Sequence, residues 1–289
     1  MDNGSVRLKL ETLQPTFSYK LRGALNAVLR RSESADAERP LVTASAGNHG
    51  RALAYAARTC GVPVTVYVSE RAPAVKIDAI RAERADLRLC PDYDAAERAA
   101  KQHAARGDAT YISPYAHPDV IAGAGTVGLE ILEDWGDADT IVAAVGGGGL
   151  ISGIAIAAAG FGRPVRVVGV EAQASTPFTS GLAAGRIVEV DVQPTLADGL
   201  AGNLDPDTPT FEMVRTMVSG IATVSEAEIA QAVAGVARYE RLIAEGAGAT
   251  AVAAVLARRE QTQGRNVAVV LSGANIDAEV FTRLVNGGR

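Results

Sequence analysis

The chain has little with which to build a cross-linked, metal-clustered or nucleic-acid-binding protein. Two of its 289 residues are cysteine, Cys60 and Cys90, three are histidine and one is tryptophan. No CxxC pair and no histidine cluster accompany the cysteines, so neither a disulfide framework nor a structural zinc site is expected, and a reducing cytoplasm fits. Positive charge is not in excess: 28 Lys and Arg stand against 33 Asp and Glu, a net charge of −5, which argues against nucleic acid as the main partner. The opening residues MDNGSVRLKLE are charged and lack the apolar centre of a signal peptide. Long apolar runs are missing too, with one exception. Residues 140–162 carry no charge and are about long enough to cross a bilayer. Four consecutive glycines near their middle would each weaken a helix by roughly 1 kcal/mol relative to alanine. A buried strand, a glycine loop and a buried helix account for the run better, and no membrane partner is expected.

The chain is 48% hydrophobic and 21% charged, ordinary for a well-buried globular protein and far from a disordered one. Its length suits one large domain or two smaller ones. Strands are expected at 6–10, 41–43, 64–68, 87–89, 140–145, 165–170 and 267–271. Alanine-rich helical stretches lie between them, at 19–31, 49–59, 74–84, 94–106, 128–134 and 150–159. Residues 229–259 read as helical throughout, broken at Glu245-Gly246, and the polar stretch 32–40 could pass between domains. Apolar strands without polar alternation, interleaved with helices, indicate parallel sheets covered on both faces.

In such sheets ligands bind at the carboxyl ends of the strands. Three unusual loops fall there: Ser45-Ala46-Gly47-Asn48-His49, Gly146-Gly147-Gly148-Gly149, and Ser272-Gly273-Ala274-Asn275. The glycine quartet can cluster its bare amides, and the helix starting near Leu150 adds partial positive charge, together a phosphate cradle needing no lysine or arginine. A dinucleotide is the natural rival, with Gly147, Gly149 and Gly153 approximating a Rossmann turn and Glu171 ending the next strand where a ribose-binding acid belongs. A literal GxGxxG at Gly123, Gly125 and Gly128 has no proper strand before it and reads as helix packing. The Ser45 loop offers donors for a carboxylate or a phenolic oxygen, or else plain capping of the following helix. A histidine such as His49 is more often packed or exposed than catalytic. Lys20, between Tyr19 and Leu21 at a helix start, is either a desolvated nucleophile or an ordinary solvated amine.

Taken in order, these segments resemble the threonine/serine dehydratases of the tryptophan-synthase-β-like group of pyridoxal-phosphate enzymes. The segments are Gln14-Pro15-Thr16-Phe17-Ser18-Tyr19-Lys20-Leu21-Arg22-Gly23-Ala24, Ser45 to Gly50, Gly146 to Leu150, Glu245-Gly246-Ala247-Gly248-Ala249 and Leu271 to Asn275, and the likeness covers residues 6–277. The resemblance implies an α/β fold of two parallel-sheet α/β domains with the cofactor in the cleft between them. Residues 1–39 and 118–289 would form a large cofactor-binding domain and 40–117 a small mobile one. The implied cofactor is pyridoxal 5'-phosphate, carried by Lys20 as a Schiff base. Tyr19 would pack against its ring and Asn48 would bond its phenolic oxygen. Gly146, Gly147, Gly148, Gly149 and Leu150 would hold its phosphate, Ser272 would face its pyridine nitrogen, and Glu245 would lie at its edge. Ser45, Ala46, Gly47 and His49 would receive the substrate carboxylate, with Asp198 close by.

The implied activity is conversion of L-threonine, L-serine or a related β-hydroxy amino acid to a 2-oxo acid and ammonia, by a cytoplasmic homodimer. A 3-hydroxyaspartate dehydratase and a serine racemase-like enzyme are alternatives. So are, from other classes, a nucleotide-dependent oxidoreductase on the Gly147/Gly149/Glu171 loop and an inactive cofactor-binding relative. Racemases of the group carry a second serine where this chain has Ala46, so racemisation is expected to be minor. Cysteine and threonine synthases show Lys-Asp-Arg where this chain reads Lys20-Leu21-Arg22. The racemase-type cation site matches at Glu171, but Pro177 stands in place of its second carboxylate, so no metal is expected. The family has a further segment with an early Thr-Pro ahead of the position of Val6, which this chain lacks. No regulatory domain, and hence no isoleucine feedback, is expected after Asp277.

Overall fold

The structure, a computed structural model, describes residues 4–31, 33 and 37–287. Of the polar stretch 32–40, residues 32 and 34–36 lie outside those described. Strand β1 (Ser5–Leu10) comes first, followed by α1 (Lys20–Arg31), β2 (Leu41–Ala44), α2 (Asn48–Cys60), β3 (Val64–Ser69), α3 (Ala74–Ala82), β4 (Asp86–Cys90), α4 (Tyr93–Ala105) and β5 (Thr110–Tyr111). Then follow α5 (Pro118–Asp134), β6 (Thr140–Ala144), α6 (Gly149–Ala159), β7 (Arg166–Ala172), α7 (Pro177–Ala184), α8 (Pro209–Met217) and β8 (Gly220–Val224). The chain ends with α9 (Glu226–Gly235), α10 (Gly246–Leu256), β9 (Asn266–Leu271) and α11 (Ala278–Val285). Two compact units result, one of Gln14–Gly123 and one of Met1–Leu13 with Ala124–Arg289.

The fold is mixed α/β with two parallel sheets, as the strand–helix alternation predicts. In the first unit, β2, β3, β4 and β5 form a four-stranded sheet in the order β4-β3-β2-β5. In the second, five strands run in the order β1-β9-β6-β7-β8. Every residue of β6 and nearly every residue of β7 and β9 is buried, because helices cover both faces and leave no position for a solvated side chain. Helix α6 follows the same logic: eight of its residues are buried, down to Ser152, so it shows no polar face. The core of this unit gathers Val142, Val168, Val170, Val269 and Leu271 from the strands with Ala249, Ala251 and Ala253 from α10.

The sequence reading is corrected in three places, and one of its packing expectations is met. Strands β5 and β8 went unread: β5 has two residues, and β8 (Gly220–Val224) opens on glycine and is only partly buried, so neither carries a clear pattern. Helix α5 starts at Pro118 rather than at residue 128, a first-turn proline being compatible with a helix. Residues 229–259 are not one helix. After α9 a π-helical turn, Val236–Glu240, ends at Arg241 in the left-handed region with φ 60°. The GxGxxG triad lies inside α5: a side chain at Gly125 would meet the backbone of Gly153, and one at Gly128 that of Ile154. There it lets α5 approach α6 and binds nothing.

Buried apolar volume in these sheets should dominate stability. Ile141→Ala, at a fully buried β6 position, is expected to cost about 2–5 kcal/mol. Val6→Ala, at an edge-strand position left 57% exposed, should cost less than about 0.5 kcal/mol. Denaturant unfolding of the two variants checks the difference.

Candidate active site

In the Gln14–Gly123 unit the sheet order places β3 and β4 on one side of β2 and β5 on the other. The strand sequence therefore reverses direction at β2, and at such a switch point the loops leaving the carboxyl ends of neighbouring strands diverge and open a crevice. The loop after β2 is Ser45 to Gly47, and the one after β5 begins at Ile112. Their contents meet. The Thr43 hydroxyl donates to the Ile112 carbonyl at 2.8 Å, and His49 Nε2 lies 3.2 Å from the same oxygen. Two residues on, the Pro114 carbonyl accepts from Lys20 Nζ at 2.7 Å. The half-buried Lys20 thus stands beside this switch point, its amine 5.2 Å from the Tyr19 ring centroid.

Gly47 is the N-cap of α2 and, as a glycine, offers the helix no capping side chain of its own. The Ser45 hydroxyl instead accepts from the Gly47 amide at 3.2 Å. The N-terminus of α2 contributes partial positive charge to this loop. Ala46 and Asn48 are half-buried in the same loop. His49 is 2% exposed. Burial above all, and then the nearby Lys20 charge, hold its pKa down to about 3 from an ordinary 6.5. A neutral imidazole that donates from Nε2 to Ile112 carries a lone pair on Nδ1, and that nitrogen is buried with no partner among the described residues. His117 is shifted downward as well, mainly by burial.

In the other unit the switch point lies between β6 and β9, since β7 and β8 continue to one side of β6 while β9 and β1 lie on the other. The loops leaving β6 and β9 are the glycine quartet and Ser272-Gly273. Gly148, the N-cap of α6, has φ +85° and no side chain caps the helix. Gly148 and Gly149 are buried, as is Leu150 in the first turn. A side chain at Gly146 would meet Leu200 and the Gly199 carbonyl, which brings the turn beginning at Asp198 against the glycine loop. Asp198 itself is exposed.

The Glu245–Gly248 segment interlocks with the loop after β9. The Glu245 amide donates to the Gly273 carbonyl at 3.1 Å and the Ser272 amide to the Gly248 carbonyl at 3.4 Å. Gly248 must be glycine because a Cβ there would lie 2.2 Å from the Gly273 carbonyl oxygen. The Glu245-Gly246-Ala247-Gly248-Ala249 motif is thus in good part a close-packing motif. Glu245 is 4% exposed and Ser272 6%. The loops 146–149, 198–200, 245–248 and 272–273 share one edge of this sheet.

Sequence reasoning missed what holds the glycine loop. Thr210, in the first turn of α8, donates its hydroxyl to the Gly147 carbonyl at 2.8 Å, and Thr208 Oγ1 lies 2.9 Å from Thr210 Oγ1. Phe178 packs beside Thr210 against the loop, its Cζ 2.7 Å from where a Gly148 Cβ would stand. Thr208-Pro209-Thr210 is readable as a helix start, a capping threonine before a first-turn proline. Nothing in the sequence ties it to residue 147.

The dinucleotide alternative fails at Glu171. Its carboxylate is fully buried and accepts from the Phe178 amide at 2.8 Å, the Thr179 amide at 2.9 Å and the Thr179 hydroxyl at 2.6 Å. It caps α7 from the preceding strand and, fully buried, presents no oxygen to a ribose. Burial raises its pKa against those bonds. Among the described residues no group of three His, Cys, Asp or Glu could hold a metal ion, and no helix is long and apolar enough to cross a membrane.

Comparison with known proteins agrees with this arrangement. The family model described as pyridoxal-phosphate dependent enzyme matches residues 2–273. An L-threonine ammonia-lyase of Thermotoga maritima is 41% identical over 99% of this chain and 71% of its own length. An L-threo-3-hydroxyaspartate ammonia-lyase of Saccharomyces cerevisiae is 34% identical over 98% and 86%. Among solved structures, that of a pyridoxal 5'-phosphate-dependent aspartate racemase superposes with a TM-score of 0.89 at 32% identity, over 96% of this chain and 87% of the other. With its two parallel sheets and with glycine, lysine and serine loops at their switch points, this chain belongs to the pyridoxal-phosphate dependent enzyme family.

Proposed function

We propose that this lyase removes water and then ammonia from a small β-hydroxy amino acid, L-threonine or L-serine, leaving a 2-oxo acid. The observation that carries the proposal is the buried first turn of α6, which no side chain caps. Buried amides left this way suit an anion.

The rest of the family's cofactor finds matching chemistry in these residues. Its phosphate suits Gly146, Gly147, Gly148, Gly149 and Leu150. Its aldehyde suits the Lys20 amine, and Asn48 offers a donor for its phenolic oxygen. Its pyridine nitrogen suits Ser272, a neutral hydroxyl that does not force protonation as a carboxylate would. Tyr19 flanks the lysine as an apolar wall, and Glu245 would border the ring.

When bound, pyridoxal phosphate supplies an electron sink for the substrate's Cα. The chain's own groups do the remainder. Ser45 and the amides at the start of α2 suit the substrate carboxylate, with Ala46 in the same loop, and Asp198 is assigned to the substrate by the family resemblance. His49 contributes no positive charge there; its ring braces the loop against Ile112. The Lys20 amine takes the Cα proton, and the Pro114 carbonyl gives the resulting ammonium a place to donate. The proton taken from Cα and the β-hydroxyl leave together as one water, and hydrolysis of the released enamine consumes one water and frees one ammonia. The methyl of Ala46 has no proton to return to Cα from that loop, which favours elimination over racemisation. A cytoplasmic homodimer belongs to the same proposal and rests on the family resemblance.

Three substrates decide the specificity. Cofactor-loaded protein given L-threonine, L-serine or threo-3-hydroxyaspartate should yield 2-oxo acid from at least one, and D-serine from L-serine more slowly than oxo acid. No oxo acid from any of the three would defeat the proposal. Lys20→Ala should lower the rate by at least about 10²-fold.

His49 predicts a pH effect on stability. The unfolded chain binds a proton at His49 below its ordinary pKa of 6.5, while the folded chain resists until about 3. Stability is therefore full above the upper value and is lost as pH falls between the two. His49→Gln should flatten the pH dependence of unfolding by up to about 1.4 kcal/mol per pH unit between about pH 6 and pH 4. An unchanged slope in that variant would contradict the buried neutral ring.

A further inference from the structure

The peptide joining Gly147 to Gly148 has a direction that the glycines themselves cannot fix. Neither residue has a side chain to resist rotation of the peptide plane, and Gly148 already occupies the left-handed region at φ +85°. The direction comes from α8. The Thr210 hydroxyl, fully buried, gives its one proton to the Gly147 carbonyl at 2.8 Å. Because that proton is committed, the 2.9 Å contact between Thr208 Oγ1 and Thr210 Oγ1 must be a bond that Thr208 donates. Thr208 is itself 6% exposed and caps α8, so the two hydroxyls form a directed relay anchored on a helix end.

In a planar trans peptide the carbonyl and the following amide point in opposite directions. A bond that draws the Gly147 carbonyl toward α8 therefore aims the Gly148 amide away from α8, to the open side of the loop. Phe178 and Thr210 fill the space where a Cβ on Gly148 would stand, so no residue with its own side chain could do this in place of the glycine.

We propose that Thr210 is a positioning residue for the cofactor phosphate, fixing through Gly147 the direction in which the Gly148 amide donates. This rests on the reading of the glycine loop as the phosphate site and adds a residue outside that loop. The hydroxyl never touches the phosphate; it sets how well one donor meets it.

The test compares pyridoxal phosphate with pyridoxal, which lacks the phosphate, as ligands of the cofactor-free protein. Thr210→Val keeps the shape and removes the hydroxyl, and Thr210→Ser restores it. Binding is read by the visible absorbance of the ligand, and stabilisation of each variant by inorganic phosphate is read by thermal unfolding. Thr210→Val should weaken pyridoxal phosphate by about 10-fold or more, the worth of one hydrogen bond to a charged group. It should leave pyridoxal affinity within about 2-fold and lose the stabilisation by inorganic phosphate, while Thr210→Ser should behave as wild type. Equal weakening of both ligands would reduce the hydroxyl to general packing, and unchanged pyridoxal phosphate binding would remove its role; either overturns the inference and leaves the phosphate site intact. If the wild-type protein itself bound both ligands equally and ignored inorganic phosphate, the glycine loop would not be the phosphate site and both proposals would fall together.

Discussion

A helix that begins inside a protein leaves its first amides without partners, and each such group costs about 1–3 kcal/mol if nothing meets it. Helix α6 begins this way. Its N-cap is Gly148, its first turn is buried, and no side chain caps it. The chain spends its glycines here on backbone approach and gives the amides nothing of its own. A bound anion is one way to satisfy them. Thr208, Thr210 and Phe178 stand behind the loop and not in it, as expected of a cradle kept open for a ligand.

The Gln14–Gly123 unit is organised by a different constraint, the neutrality of His49. Burial, and then the nearby Lys20, disfavour an imidazolium in that site, so the ring stays neutral and braces Ile112. The same short segment holds Lys20 through Pro114. Loop positions set by one strand pair thus determine where the amine stands, and the chemistry assigned to Lys20 depends on packing around a group that never reacts.

Much of this was legible from residues alone. The strands β2, β6 and β9 are almost wholly buried, so their sequences are nearly unbroken apolar runs, and the loops after them hold the unusual residues. The glycine quartet stood out because four glycines depart from what a plain turn needs, whereas Lys20 and Ser272 took their roles only from the resemblance carried by the ordered motifs. What escaped had no local signature. β8 is short and half-buried, and α5 conceals its start behind a proline. The Thr210 bond spans a separation that no pattern encodes. Glu171 was misleading for a related reason: an acid at a strand end suggests a ribose, but only the fold reveals that its oxygens serve α7. His49 looked like a donor in a binding loop, and its burial is a tertiary fact.

The covalent attachment of the cofactor can be located directly, because the chain has only four lysines, Lys9, Lys20, Lys76 and Lys101. Borohydride reduction of the cofactor-loaded protein, followed by trypsin digestion and mass spectrometry, should bleach the visible band and leave one modified peptide, residues 10–22, uncleaved at Lys20. A label on Lys9, Lys76 or Lys101 instead, or a coloured protein in which no lysine is modified, would contradict the account at its centre.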